Sequence, residues 1–347
     1  MRPLLNRPRP LPLFLDLVRE TAQHDPALAV RALEGLALYQ RAERTVTERP
    51  QLVFADEGRV RLIDYGGDGA PVLFVPSIIN PHFILDLHES NSLIRHIRAQ
   101  GFRPLLVDWG RPGADQRGES LSALISDHLL PLIAQLSTRI APPHLVGYCV
   151  GGTMALAAAC LAPVQSLSLI ASPWHFDRYG EDRAMLNRLW ADNEAACARL
   201  GLVPMEVLQT AFWRMDPERT VKKYARLADS SPDQLAQFVA LEDWANDGEP
   251  LTFSAGEELF TALFRDNRPG SGQWIIAGQT VSPEALSCPA RQFASTGDRI
   301  VPFDACPDGI ETMASPAGHV GMVVGSSARA SLWDPLANWL SQVQHKR

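Results

Sequence analysis

The sequence predicts an α/β fold: a mostly parallel sheet with helices on both faces, interrupted by an inserted helical segment. Three observations predict it. Short, uninterrupted apolar runs at 72–75, 104–107, 144–147 and 166–170 have the length and composition of strands buried on both faces. Helical patterns lie between the first and second of these (92–100) and between the second and third (120–137, on both sides of Pro131), the alternation that parallel strands require. From Trp174 to about Gly272 no comparable strand run occurs, and the strand signal returns at 290–294 and, more weakly, at 312–314.

The remaining elements follow in order. Residues 26–44 have helical spacing, with Asp25 placed as N-cap and Pro26 in the first turn. Residues 51–65 read as two short strands around Asp56-Glu57-Gly58, a hairpin signal. A closing helix is expected at 331–344. Strands, a helical cap inserted after the sixth, then strands again is the layout of the α/β-hydrolase fold. The expected division is an N-terminal arm and helix (1–50), a core (51–173 and 273–347) and a cap (174–272). The stretch 1–18 is apolar but broken by prolines and Asp16, without a cleavage site, so no signal peptide is expected. It reads as a loose tail or as an arm that packs on a partner or an apolar surface. No run approaches the ~18 apolar residues of a membrane span.

Composition narrows the function classes. With 46% hydrophobic and 20% charged residues the chain can build a sizeable core. A net charge of -7 without clustered Lys and Arg argues against a nucleic-acid surface. The five cysteines (149, 160, 197, 288 and 306) are odd in number and widely spaced. They form no CxxC pair or Cys/His cluster, so neither a disulfide framework nor a zinc site is expected, and reduced thiols in a cytoplasm fit. No cofactor and no metal is expected.

The chemistry is concentrated at Gly147-Tyr148-Cys149-Val150-Gly151-Gly152, where an apolar strand meets an alanine-rich helical pattern. Gly-x-Cys-x-Gly-Gly at a strand-to-helix turn is a nucleophile elbow with sulfur in place of the usual serine oxygen. The turn strains the nucleophile's backbone, and glycines around it let strand and helix approach. The helix N-terminus favours the thiolate, the reactive form. The competing reading is an inert buried cysteine.

In this fold the acid and then the histidine follow the nucleophile. Downstream of Cys149 stand His175, His319 and His345. His345 lies in the charged terminal tail, and His175 follows a strand that is one too early. His319, in Gly318-His319-Val320-Gly321 after the last strand, is the candidate base. Asp298 ends an apolar strand through a glycine turn and is the candidate acid, able to accept the Nδ1 proton of His319. Asp304 and Asp308 lie past Pro302 and compete with it. An oxyanion hole needs two backbone N–H donors. One falls on Val150, and the other is expected from the loop after an early strand, on Ile79 or, as a close alternative, Ile78.

Several separated segments resemble the polyhydroxyalkanoate synthases, and in length and layout the chain is most similar to the short catalytic subunit of the class III enzymes. Gly147–Thr153 resembles their lipase-like box with cysteine for serine. The segment Asn80-Pro81-His82-Phe83-Ile84-Leu85-Asp86-Leu87 resembles their Asn-x-x-Tyr-x-x-Asp-Leu pattern, with Phe83 where Tyr is frequent. Val107-Asp108-Trp109-Gly110 resembles a shared strand end. Gly297-Asp298-Arg299-Ile300-Val301-Pro302 and Gly318-His319-Val320-Gly321 resemble the acid and histidine motifs, with Arg299 where a second histidine is common. The likeness runs from about residue 50 to the end, including Glu242-Asp243-Trp244.

The resemblance implies polymerisation of (R)-3-hydroxyacyl-CoA through an acyl group carried on Cys149, with release of CoA. The CoA thioester is then a substrate, and the growing polyester chain or granule a second partner. It further implies a non-catalytic second subunit, a homodimer through the cap and a cytoplasmic, granule-associated location. The same Cys-His-Asp set would equally serve an intracellular polyhydroxyalkanoate depolymerase or an acyl-CoA thioesterase.

Overall fold

A computed structural model of the chain describes residues 8–44 and 47–345, without the side chain of His345. The first seven residues of the predicted N-terminal arm and the His345 ring therefore lie outside the described residues. Eight strands form the main sheet: β1 (Val53–Glu57), β2 (Val60–Asp64), β3 (Pro71–Val75), β4 (Arg103–Asp108), β5 (His144–Tyr148), β6 (Ser166–Ile170), β7 (Ala290–Ser295) and β8 (Glu311–Ser315). Their order is β1-β2-β4-β3-β5-β6-β7-β8. β2 is antiparallel to both β1 and β4, and every other neighbouring pair is parallel. This is the α/β-hydrolase fold. β3, β5 and β6 are buried along their whole length, as uninterrupted apolar runs require of strands covered on both faces. No helix among the described residues is long and apolar enough to cross a membrane.

By internal contacts the chain divides into two compact units. One holds the sheet: Arg49–Ile78, His82–Val203 and Pro250 onward. The other gathers the described residues up to Glu48 with Ile79–Pro81 and Pro204–Glu249. The expected cap is thus not one body, since its middle groups with the N-terminal helices and its two ends group with the sheet.

The second unit also corrects the reading of the N-terminus as an arm or tail. Leu11–His24 is a helix, followed directly by a second one, Pro26–Arg41, whose Leu28 amide is capped by the Asp25 carboxylate at 2.9 Å. Neither helix can bury its apolar stripe alone. Phe14 is fully buried between Trp213 and Tyr224, with ring centroids 6.4 and 4.8 Å away. Val18, Ala32, Leu36, Tyr39, Val221 and Val239 complete that core. A Cβ on Gly35 would collide with the Tyr224 carbonyl, so the helix Pro26–Arg41 and the helix Pro217–Ala225 touch where Gly35 leaves room. Hydrogen bonds tie the same unit: the Tyr39 hydroxyl to Asp243 at 2.5 Å, the Asn80 amide to the Ala245 carbonyl at 3.2 Å, and the Trp244 indole to the Pro81 carbonyl at 2.8 Å.

Candidate active site

β5 ends at Tyr148, and the helix Val150–Leu161 begins two residues later, leaving Cys149 alone in the turn. Its backbone is at φ 56 and ψ -134, a region that residues with a side chain rarely adopt. The surroundings hold it there. The Cys149 amide donates to the Ile170 carbonyl at 3.0 Å, and the Cys149 carbonyl accepts from the Gly152 amide at 2.8 Å. The glycines are required by close approach rather than by φ. A Cβ on Gly147 would run into Gly152, one on Gly152 into the Ser172 side chain, and one on Gly151 into the carbonyls of Val75 and Pro76.

That last contact sets the loop after β3 against the first turn of the helix. The Trp109 indole, at the end of β4, donates to the Pro76 carbonyl at 3.0 Å and pins the loop from the other side. Val150 opens the helix, where the amide has no intrahelical carbonyl to donate to. Of the two candidates for the second donor, Ile78 belongs to the same compact unit as Cys149, whereas Ile79 belongs to the other.

Asp298 and His319 are brought together from the ends of β7 and β8. The Asp298 Oδ2 and His319 Nδ1 atoms are 2.6 Å apart. The other carboxylate oxygen, Oδ1, accepts from the amides of Ile300 (2.7 Å) and Val301 (3.0 Å). The Gly297 turn that precedes it is held by the Ser295 hydroxyl, which accepts from the Gly297 amide at 3.0 Å and itself donates to the Ala317 carbonyl. The loop carrying His319 is therefore fastened to the strand that carries Asp298.

Burial and neighbouring charge act on the pair in opposite directions. Burial pushes the Asp298 carboxyl up, but the charge and hydrogen bond of His319 and the two amides bring it below the usual carboxylate value. Burial alone would lower the His319 imidazole. The charges of Asp298 and Cys149, and side-chain hydrogen bonds to both, outweigh it and raise the imidazole to about 10. His319 is buried, not a solvated loop histidine, and stacks on Tyr148 with ring centroids 5.2 Å apart.

The competing residues are engaged elsewhere. Asp308 receives a forked bond from Arg178 at 2.9 and 2.6 Å and lies 3.2 Å from His175 Nε2. Asp304 sits in the short turn Phe303–Ala305, where its carbonyl accepts from Arg178 at 3.0 Å. In the segment 80–87, Asp86 is a structural anchor. It is fully buried and accepts from Arg95 at 2.7 Å and from the Tyr65 hydroxyl at 3.0 Å.

Two further groups at the site had no signal in the sequence. Tyr148 and Tyr179 are both buried, and both have hydroxyls pushed well above the usual value by burial first, then by Cys149 and Asp298. A tyrosine beside a nucleophile and another in a turn after a strand look like ordinary core residues in a linear sequence.

No family model matches the chain. Among characterised proteins it is 28% identical over 363 aligned positions to the poly(3-hydroxyalkanoate) polymerase subunit PhaC of Haloferax mediterranei, spanning 96% of this chain and 72% of that one. It is 25% identical over 289 positions to the PhaC subunit of Allochromatium vinosum, spanning 78% and 81%. The first of these likenesses reaches into the N-terminal 50 residues, further than the motifs alone suggest. Among solved structures, the epoxide hydrolase of Bacillus megaterium in complex with an inhibitor superposes with a TM-score of 0.53. At 14% identity over 84% of this chain and all of that one, it speaks for the α/β-hydrolase fold alone.

Proposed function

We propose that this chain, a member of the family of PhaC poly(3-hydroxyalkanoate) polymerase subunits, polymerises (R)-3-hydroxyacyl units from their CoA thioesters, with Cys149 as the acyl carrier. The observation that carries the reading is the hydrogen-bonded Asp298–His319 pair directed at a thiol held on a strained elbow. Polymerases of this class need a nucleophile that accepts an acyl group from a thioester and gives it to a hydroxyl.

In the proposed cycle His319 takes the thiol proton of Cys149, and the sulfur attacks the thioester carbonyl. The charge that develops on the carbonyl oxygen meets the Val150 amide, with the loop after β3, up to Ile78, as source of a second donor. The bond between the acyl carbon and CoA sulfur breaks, and CoA leaves with the proton from His319. The hydroxyl of another hydroxyacyl unit then gives its proton to His319 and attacks the acyl-Cys149 carbonyl. A new ester bond forms, the bond between the acyl carbon and the Cys149 sulfur breaks, the sulfur takes back a proton from His319, and one CoA has been released per unit added. Asp298 holds the imidazole in the tautomer that makes both proton transfers possible. Cysteine suits the first step because thiol-for-thiol exchange on a thioester is nearly balanced, whereas a serine ester would sit in a deeper well.

The test is to incubate the protein with (R)-3-hydroxybutyryl-CoA and follow CoA and polymer together. CoA release matched by polyester is expected. CoA release matched only by free hydroxy acid would overturn polymerisation in favour of hydrolysis. Full activity in Cys149→Ala would overturn both.

A further inference from the structure

Tyr148 is the last residue of β5 and precedes Cys149. Its ring lies over the His319 imidazole at an interplanar angle of 27°. The side chain is buried, and its hydroxyl has no hydrogen-bond partner among the described residues. Leaving such a group unpaired is destabilising, and a phenylalanine would fill the same space without that penalty. The other polar atoms around it are engaged: both oxygens of Asp298 and Nδ1 of His319 have partners. Burial and the neighbouring charges of Cys149 and Asp298 keep the phenol protonated, so next to these groups it is a donor. An unspent donor beside a nucleophile needs an acceptor that arrives with the substrate.

We infer that Tyr148 is a further catalytic residue: its hydroxyl donates to an oxygen of the acyl group carried by Cys149, while its ring keeps the His319 imidazole in place. A 3-hydroxyacyl group offers two such oxygens, the carbonyl oxygen and the 3-hydroxyl. The inference rests on the proposal that Cys149 is acylated. It does not depend on whether water or a hydroxyl later removes the acyl group.

The experiment measures acylation of Cys149 by rapid quench and intact-protein mass. It compares the wild-type chain, Tyr148→Phe and Tyr148→Leu, with 3-hydroxybutyryl-CoA and with butyryl-CoA. Tyr148→Phe is expected to acylate about tenfold more slowly, the loss of one hydrogen bond of ordinary strength. Its melting temperature should stay level or rise, because a buried unpaired hydroxyl has been removed. Equal slowing with both thioesters assigns the donor to the carbonyl oxygen, and slowing confined to the hydroxyacyl substrate assigns it to the 3-hydroxyl.

Iodoacetamide alkylation of Cys149 across pH reads the His319 pairing separately. Tyr148→Leu should shift that profile, and Tyr148→Phe, which keeps the ring, should not. Wild-type rates of acylation in Tyr148→Phe would overturn the inference, as would a lowered melting temperature in that variant. A profile shifted as much in Tyr148→Phe as in Tyr148→Leu would also overturn it. If the wild type itself is not acylated by either thioester, the proposed function falls and this inference with it.

Discussion

Asp298 and His319 meet through one carboxylate oxygen and one ring nitrogen 2.6 Å apart, while the second carboxylate oxygen is occupied by the amides of Ile300 and Val301. The arrangement predicts the outcome of Asp298→Asn. The two amides can only donate, so the oxygen of an asparagine must face them and its NH2 must face Nδ1 of His319. The imidazole would then carry its proton on Nε2, directed at Cys149, and could no longer accept the thiol proton. Turnover should fall by about 10³–10⁴-fold with the fold intact. Steady-state CoA release beside a circular-dichroism melt checks it, and a loss of less than tenfold would contradict the assigned tautomer.

Backbone strain at the elbow gives a second outcome. Cys149 sits at φ 56 only because the turn holds it there, so a residue without a Cβ is relieved at that position. Cys149→Gly and Cys149→Ala should both be inactive, yet the glycine variant should be more stable than the alanine variant by about 1 kcal/mol. Urea denaturation of the two distinguishes them. Equal stabilities would mean that the turn carries no strain.

Much of this arrangement was legible in the linear sequence, for a physical reason. Strands buried on both faces must be continuous apolar runs, and β3 to β6 fall within about one residue of where those runs lie. The glycines at 147, 151 and 152 announced close approach before any coordinates. Chain order singled out Asp298 and His319, and the geometry joins them. What stayed hidden depends on partners distant in sequence. Leu11–His24 reads as an arm because its start is crowded with prolines and the aromatic rings that bury Phe14 are distant in sequence. Its partners, Trp213 and Tyr224, lie some two hundred residues on. The grouping of Pro204–Glu249 with the N-terminal helices was hidden for the same reason. Tyr148 gave no signal because an unpaired hydroxyl is a property of its surroundings, not of its residue type.

The raised imidazole of His319 makes stability depend on alkaline pH. Its folded value of about 10 stands above the ordinary 6.5. The protonated ring therefore stabilises the fold fully below about pH 6.5, and that contribution is lost as pH rises through about 10. Unfolding free energies should fall across this window by more in the wild type than in His319→Gln, by a few kcal/mol at most. Cys149 is one of the groups that hold the imidazole up, so Cys149→Ala should move the loss to lower pH. A midpoint unchanged in Cys149→Ala would show that Asp298 alone sets it.

The N-terminal helix supplies the remaining prediction. Phe14 is fully buried against Trp213 and Tyr224, whereas its neighbour Leu15 is 44% exposed. Phe14→Ala removes a large ring from a packed aromatic core and should cost about 3–5 kcal/mol. Leu15→Ala should change stability by roughly 0.5 kcal/mol or less. Hydrogen exchange should locate the loss from Phe14→Ala in the described residues up to Glu48 and in Pro204–Glu249, the unit that shares this core. A loosely attached arm would behave differently: the two substitutions would be equally mild, and exchange in the helix Pro217–Ala225 would not change. Unequal costs together with faster exchange at 217–225 are the expected result, because a helix that buries Phe14 completely is part of the fold and not an appendage to it.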